Sequence, residues 1–165
     1  MGQGSRRHRT QVHRLQENLL AEEFTCVRQT HENDCGVAAL ATVAAHHGIH
    51  VSYKNLISGV DLDRDGTDFL TLAGLGASLN LRAQGVCAGY EGIQDCPLPA
   101  IAHLRGLFGG RHFVVIHRWA SAHVVIADPA NGLRRLTRKT FCRDWTGYLL
   151  LLSPQFGRIS SMTSN

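Results

Sequence analysis

The sequence has no C-x-x-C pair, and its cysteines are odd in number: Cys26, Cys35, Cys87, Cys96 and Cys142, five in all. A disulfide framework needs an even set and a zinc ribbon needs the close pair, so neither is indicated. No apolar run reaches the length of about 18 residues that a membrane-spanning helix requires. Nothing at the amino end resembles a secretory signal. Met1 to Arg14 is polar and carries Arg6, Arg7, Arg9 and Arg14 without an apolar block behind them. No G-x-x-x-x-G-K-S/T motif occurs, so ATP binding is not encoded here. Neither an internal repeat nor a low-complexity linker is present. Together these absences lead to the expectation of a cytosolic, reducing setting.

What is there suits one compact domain. The chain has 165 residues and is 44% hydrophobic, enough to bury a normal core. Its net charge of +4 owes much to the four arginines of the first fourteen residues. The remainder is close to neutral and has no basic stripe interleaved with aromatics, so no nucleic-acid partner is expected. Residues 1–24 read as a basic, flexible arm, 25–154 as the folded domain and 155–165 as a flexible tail.

The domain divides into two halves. Asp34, the apolar stretch CGVAALATVAAHH and then Gly48 give start, body and stop of a helix. That helix is apolar nearly all round, which places it inside the domain. A short helix is expected after Ser52. A third is expected after Thr67, with Thr67 as its cap, Phe69, Leu70, Leu72, Ala73 and Leu79 on one face, and Asn80 at its end. Beyond residue 80 the pattern becomes strand-like: LRAQGVCA, LPAIAHL, HFVVIHRW, HVVIAD, LRRLTR and YLLLLS, with PANG as a turn and KTFCRDW as a helical turn. Helices first and antiparallel strands second indicate an α+β domain.

Cys35 is the first candidate for chemistry. A cysteine at the first turn of a helix has its thiolate favoured by the dipole and by free backbone N–H groups. A small buried cysteine fits the same position, and on the residue alone both readings stand. A nucleophile also needs a base and a group to orient that base. The runs His112–Trp119 and His123–Asp128 are joined by three residues and should form a hairpin. With the turn centred near Ala120, His112 falls opposite Asp128 on one face, so that the carboxylate can fix the imidazole. Asp128 before Pro129 is equally an ordinary turn residue. Gln29, six positions before Cys35, offers a side-chain amide to an oxyanion; a solvated loop glutamine is the alternative.

Gln29, then NDCGVAAL around Cys35, then HFVVIH with His112, then ADPANGLRRL with Asp128, resemble peptidase family C39. These are the double-glycine leader peptidases that process bacteriocins, found mostly as amino-terminal domains of peptide-exporting ABC transporters. The resemblance runs from about Val27 to Pro154, with FCRDWTGYLLLLSP similar to the family's last helical turn and closing strand. It implies a papain-like fold, with an amino-terminal helical half packed on a carboxy-terminal antiparallel sheet. It also implies cleavage after a double-glycine type site at the end of a leader peptide. Carried over, Cys35 is the nucleophile, His112 the general base, Asp128 the orienting carboxylate and Gln29 the oxyanion-hole donor. The implied partners are a peptide precursor with such a leader and the transmembrane and nucleotide-binding domains of an ABC transporter. No cofactor is implied for the peptidase, ATP belonging to the transporter part. The expected location is cytoplasmic, at the membrane face if a parent transporter is attached. The chain reads as a free-standing peptidase or as an excised domain.

Three rival signals are present. DLDRDGTDFLTL begins like a calcium loop with Asp61, Asp63, Asp65 and Gly66, but Leu72 stands where a bidentate Glu is needed. His46, His47 and His50 with Cys87 or Cys96 could supply zinc ligands, without a recognised spacing. A non-catalytic module that only binds leader peptides, or a metal, is the remaining alternative. Gly109–Gly110 reads as a turn before a strand, not as a cleavage site.

Overall fold

The computed structural model describes residues 24–62, 66–106 and 110–155. The arm, most of the tail, and Asp63, Asp65 and Gly109 of the motifs above lie outside the described residues. Among the described residues no helix is long and apolar enough to cross a membrane.

The first helix, α1, is Cys35–His46. Ten of its residues, Cys35 through Ala44, are buried, as its all-round apolar sequence requires. It ends where Gly48 adopts φ +71°, the left-handed conformation that glycine tolerates best. Helices α2 (Tyr53–Ser58) and α3 (Phe69–Ser78) follow. Two expectations for α3 need correction. Its cap is Asp68, whose carboxylate accepts from Thr71 N at 2.7 Å, while Thr67 is buried beneath α1. Of the expected face, Leu72 is in the core and Phe69, Ala73 and Leu79 pack against it, whereas Leu70 is 82% exposed. Asp68 won the cap because its carboxylate sits three residues before an unpaired first-turn N–H, the spacing a cap needs.

The strands are β1 (Leu81–Cys87), β2 (Ala100–Arg105), β3 (Arg111–Ala120), β4 (His123–Asp128), β5 (Gly132–Thr137) and β6 (Trp145–Pro154). A 3-10 helix, Tyr90–Asp95, and the helix α4, Arg138–Asp144, complete the chain. All strands join one antiparallel sheet in the order β1-β6-β2-β3-β4-β5. Alternation along the central strands gives each sheet face its own core. One face, with Ile101, Phe113, Val115 and Leu150, packs on α1 and α3. The other, with Leu104, Val114, Ile116 and Ile126, packs on α4 and the 3-10 helix.

Close approach of α1 to the sheet depends on Gly36. A Cβ there would lie 2.3 Å from Thr67 Cγ2 and 3.2 Å from the Phe113 ring. The helix start is thereby pressed against the sheet near the beginning of β3, where His112 stands.

The β3–β4 hairpin forms, but not in the register with its turn centred near Ala120. Val115 faces Ala127 and Ile116 faces Ile126, two positions further along β4 than that register implies. The turn falls at Ser121–Ala122, because Ala120 pairs with His123, and an irregularity lies between Ile116 and Arg118. A slip of two preserves the face of every side chain, where a slip of one would have separated His112 from Asp128. The two therefore meet diagonally across the strands rather than directly opposite.

Candidate active site

Four positions near one end of the sheet are brought together by three connections. His112 at the start of β3 donates through Nε2 to Asp128 Oδ1 at the end of β4, 3.0 Å away. The same imidazole is hydrogen-bonded to the side chain of Cys35. With Nε2 committed to Asp128, the contact to sulfur falls to Nδ1. Cys35 itself is the first residue of α1 and is buried.

The electrostatics follow from these contacts. Burial opposes a charged His112 ring, but the hydrogen bonds to Asp128 and Cys35 and their charges outweigh it, and its pKa is pushed up to about 9. His112 is thus an imidazolium at neutral pH. Burial likewise opposes ionisation of Asp128, which is only 3% exposed. Its hydrogen bonds from His112, Asn131 and Ala130, with the imidazolium charge, hold the carboxyl well below the usual carboxylate range. Oδ1 accepts from His112 Nε2 and from Ala130 N (3.0 Å). Oδ2 accepts from Asn131 Nδ2 (2.8 Å) and Arg134 Nη1 (3.3 Å). Four donors on two oxygens leave this buried carboxylate fully satisfied, which is what makes its burial tolerable.

Asp34 behaves differently from a helix cap. It occupies the residue before α1, yet its side chain makes no capping hydrogen bond. The carboxylate, 0% exposed, turns back onto the preceding loop. It accepts from Thr30 Oγ1 (2.7 Å), Thr30 N (3.3 Å) and His31 N (3.2 Å). The loop joining Gln29 to Cys35 is therefore wrapped around a buried carboxylate. The first-turn N–H groups of α1 keep clear of capping by the Asp34 side chain and remain available as donors beside Cys35.

Gln29 is placed by its backbone, whose N–H donates to Pro129 O at 3.1 Å. Arg28 donates to Ala130 O, and Cys26 Sγ lies 3.8 Å from Asp128 O. The segment before α1 is thus strapped to the turn after Asp128. The Gln29 amide donates through Nε2 to His31 O at 2.7 Å, which leaves its second N–H, and its buried Oε1 accepts from no described residue. Asn131, Arg134, Asp34 and Thr30 were missed as supporting residues. Only a fold that returns β5 and the loop to the same end of the sheet gives them that role.

Among the described residues the zinc candidates do not assemble at one point, and the calcium-like loop falls partly outside them. Cys96 Sγ donates to Gly92 O, Cys87 is exposed on β1, and the His46 ring lies against His47 and His117 beyond the far end of α1. Among the described residues no group of three His, Cys, Asp or Glu side chains is arranged to hold a metal ion.

A thiol at a buried helix start, in contact with an imidazole that a carboxylate orients, on helices packed against an antiparallel sheet, defines the class of papain-like cysteine peptidases. The particular family follows from comparison: residues 23–157 match the Peptidase C39 family, and the chain belongs to it. It is 37% identical over 133 residues to the Lactococcin-G-processing and transport ATP-binding protein LagD of Lactococcus lactis subsp. lactis, covering 78% of this chain and 19% of LagD. It is 33% identical over 137 residues to the uncharacterized protein MTBMA_c00490 of Methanothermobacter marburgensis, covering 82% of this chain and 92% of that one. Among solved structures it resembles the peptidase domain of Streptococcus ComA, a bi-functional ABC transporter involved in a quorum sensing pathway. That likeness has a TM-score of 0.73 at 27% identity and covers 80% of this chain and 99% of that domain. A double glycine motif protease from an AMS/PCAT transporter, solved in complex with a leader peptide, matches equally, with TM-score 0.73, 27% identity and coverage of 79% and 91%. The chain spans about a fifth of the length of the transporter relatives it matches, 19% for LagD.

Proposed function

We propose that this chain is a thiol endopeptidase that removes the leader from a peptide precursor by cutting after a double-glycine type site. The observation that carries the reading is the single imidazole bonded on one side to the Cys35 thiol and on the other to Asp128. The Cys35 thiolate attacks the carbonyl of the residue before the scissile bond, and the carbonyl π electrons move onto oxygen. That oxyanion is held by the Cys35 N–H at the helix start and by the free N–H of Gln29. Collapse of the tetrahedral intermediate breaks the C–N bond, and the imidazolium of His112 gives its proton to the departing amine. The neutral imidazole then takes a proton from water as the water oxygen attacks the thioester. Collapse of the second tetrahedral intermediate breaks the C–S bond, the Cys35 sulfur departs beside the now protonated imidazole, and the leader leaves as a carboxylate after its carboxyl gives the second water proton to solvent. Asp128 keeps the ring oriented and its charge balanced throughout. The reaction needs no cofactor in this scheme; ATP serves only an attached transporter part.

The relatives' names, which join processing to transport, support a place beside an ABC transporter with cutting coupled to export of the mature peptide, and we place the chain at the transporter's cytoplasmic face. The test is cleavage of a synthetic precursor carrying a double-glycine leader. Cleavage should end with Cys35→Ala or on thiol alkylation while the circular dichroism spectrum stays unchanged. Retained cleavage by the alanine variant would refute the assignment.

A further inference from the structure

The end of α1 far from Cys35 meets the segment that leads into the domain. There His117 of β3 is only 8% exposed. Its Nε2 donates to Thr25 O at 2.8 Å, and its ring stacks on Phe24 with centroids 4.9 Å apart. Arg118 lies over the same Phe24 ring, 5.2 Å from its centroid. The segment then runs along α1, where Val27 N donates to Thr42 Oγ1 at 2.9 Å. It ends at Gln29, whose N–H donates to Pro129 O just after Asp128. Residues 24–29 are thus one tied length of chain, with His117 at one end and the oxyanion donor at the other.

This tie holds only while the His117 ring is neutral. With the Nε2 proton given to Thr25 O, Nδ1 is a bare lone pair, buried and bonded to no described residue. A proton on Nδ1 would be a buried donor with no acceptor. The surroundings are basic or apolar. The His46 ring of α1 lies 6.2 Å away, and His47 is edge-on to His46. Arg118 follows in β3, and β4 presents Val125 and Ile126 across from that stretch. Burial, and then the His46 charge, push the His117 pKa down despite the bond to Thr25. Burial and His47 do the same to His46. No described carboxylate acts on His117. The tie therefore stabilises fully above the ordinary value of 6.5 and is lost as pH falls below it.

Resting on the peptidase reading above, we propose that His117 is a positioning residue that latches the segment carrying Gln29, and that protonation of its ring opens the latch and slows turnover in mild acid. An added proton sets the ring against His46 and Arg118 and leaves Nδ1–H buried without a partner. The segment answers by lifting Phe24 and Thr25 off β3. The loosening reaches the site by two routes. Gln29 is held by its backbone bond to Pro129 O, so the oxyanion donor loses its place. Arg28 donates to Ala130 O, and the N–H of Ala130 donates to Asp128 Oδ1, so the turn that orients the carboxylate loosens as well. Both act on the transition state, so kcat falls more than KM rises.

The test follows hydrogen–deuterium exchange of the full chain, corrected for chemical exchange, with the Val27 and Gln29 amides as reporters of the segment. Between about pH 7.5 and pH 5 their exchange should quicken by about tenfold to thirtyfold, the ceiling being set by a ring that titrates at its ordinary value once the latch is open. His117→Gln keeps an amide N–H for Thr25 O and does not titrate; His117→Phe keeps the stack on Phe24 and does not titrate. In both, the change between the two pH values should shrink to within about threefold. For cleavage of a double-glycine precursor, the acid limb of kcat should lie at lower pH in H117Q than in the native chain. Exchange that does not quicken in the native chain, or that quickens as much in both variants, overturns the latch. An acid limb that stays in place in H117Q while the exchange effect is lost overturns its part in turnover. Absence of cleavage at every pH, with the acid opening of the native chain intact, overturns the peptidase reading instead.

Discussion

Replacing Asp128 by asparagine isolates the charge that makes His112 an acid at neutral pH. His112 is held at a pKa of about 9 against an ordinary 6.5. At about 1.4 kcal/mol per unit, that is about 3 kcal/mol of preference for the imidazolium, shared between Asp128 and Cys35 and opposed by burial. Asp128 contributes more than Cys35, so D128N should move the pKa from about 9 back toward the ordinary 6.5. The geometry lets the variant fold. Oδ1 can still accept from His112 and Ala130 N, the Asn131 amide can turn its oxygen toward the new NH2, and Arg134, 45% exposed, can move into solvent. The assay is the pH profile of kcat/KM for a double-glycine precursor without ionisable groups near the cut. The native profile should lose activity on its alkaline side near pH 9, where His112 gives up the proton the departing amine needs. The D128N profile should lose it at lower pH, with activity at its maximum reduced by about a hundredfold or more as ring orientation and charge balance weaken. An alkaline limb left at the native position in D128N would refute the electrostatic account, whatever the loss of rate.

The same ion pair makes stability depend on pH. A folded pKa raised above the unfolded value contributes fully below about pH 6.5 and is lost as pH rises through about 9, so the midpoint of thermal unfolding should fall between those limits and that fall should flatten in His112→Ala. Gly36→Ala places a Cβ 2.3 Å from Thr67 Cγ2 and should destabilise by about 1–3 kcal/mol in urea unfolding, with partial recovery when Thr67→Ser removes that methyl. Asp34→Ala leaves the Thr30 hydroxyl and the Thr30 and His31 N–H groups without their buried acceptor; stability should drop by about 2–4 kcal/mol and kcat should fall more than KM rises, because the loop from Gln29 to Cys35 loosens.

Much of this site was legible because it rests on local signals. The Asp34-to-Gly48 run marked α1 to within a residue, and with it the position of Cys35 at a helix start. The β3–β4 connection put His112 and Asp128 on one face from chain length alone. That inference survived a wrong register only because the error was even. The irregularity beside His117 explains why counting from the turn misleads. The His117 ring is buried and donates through Nε2 to Thr25 O (2.8 Å) while stacking on Phe24, so tertiary contact rather than turn chemistry sets the local step of β3. Nothing in the strand's own alternation announces that.

What could not be read is how the helical half is registered against the sheet half. Asp34 illustrates the difficulty. As a residue before a helix it has the composition of a cap, and a cap is what spacing predicts. Its carboxylate instead serves Thr30 and His31, because that loop must be held while the segment from Cys26 to Gln29 is strapped to the turn after Asp128. The consequence is chemical. A capping carboxylate would have placed a negative charge and a competing acceptor at the helix N–H groups that the oxyanion requires. Turned inward, the same carboxylate orders the loop and leaves those donors uncapped, as the proposed oxyanion site needs. A carboxylate that is best for the helix in isolation is thus used for the site, and the difference is visible only once Thr30, His31 and the β4–β5 turn share one end of the sheet.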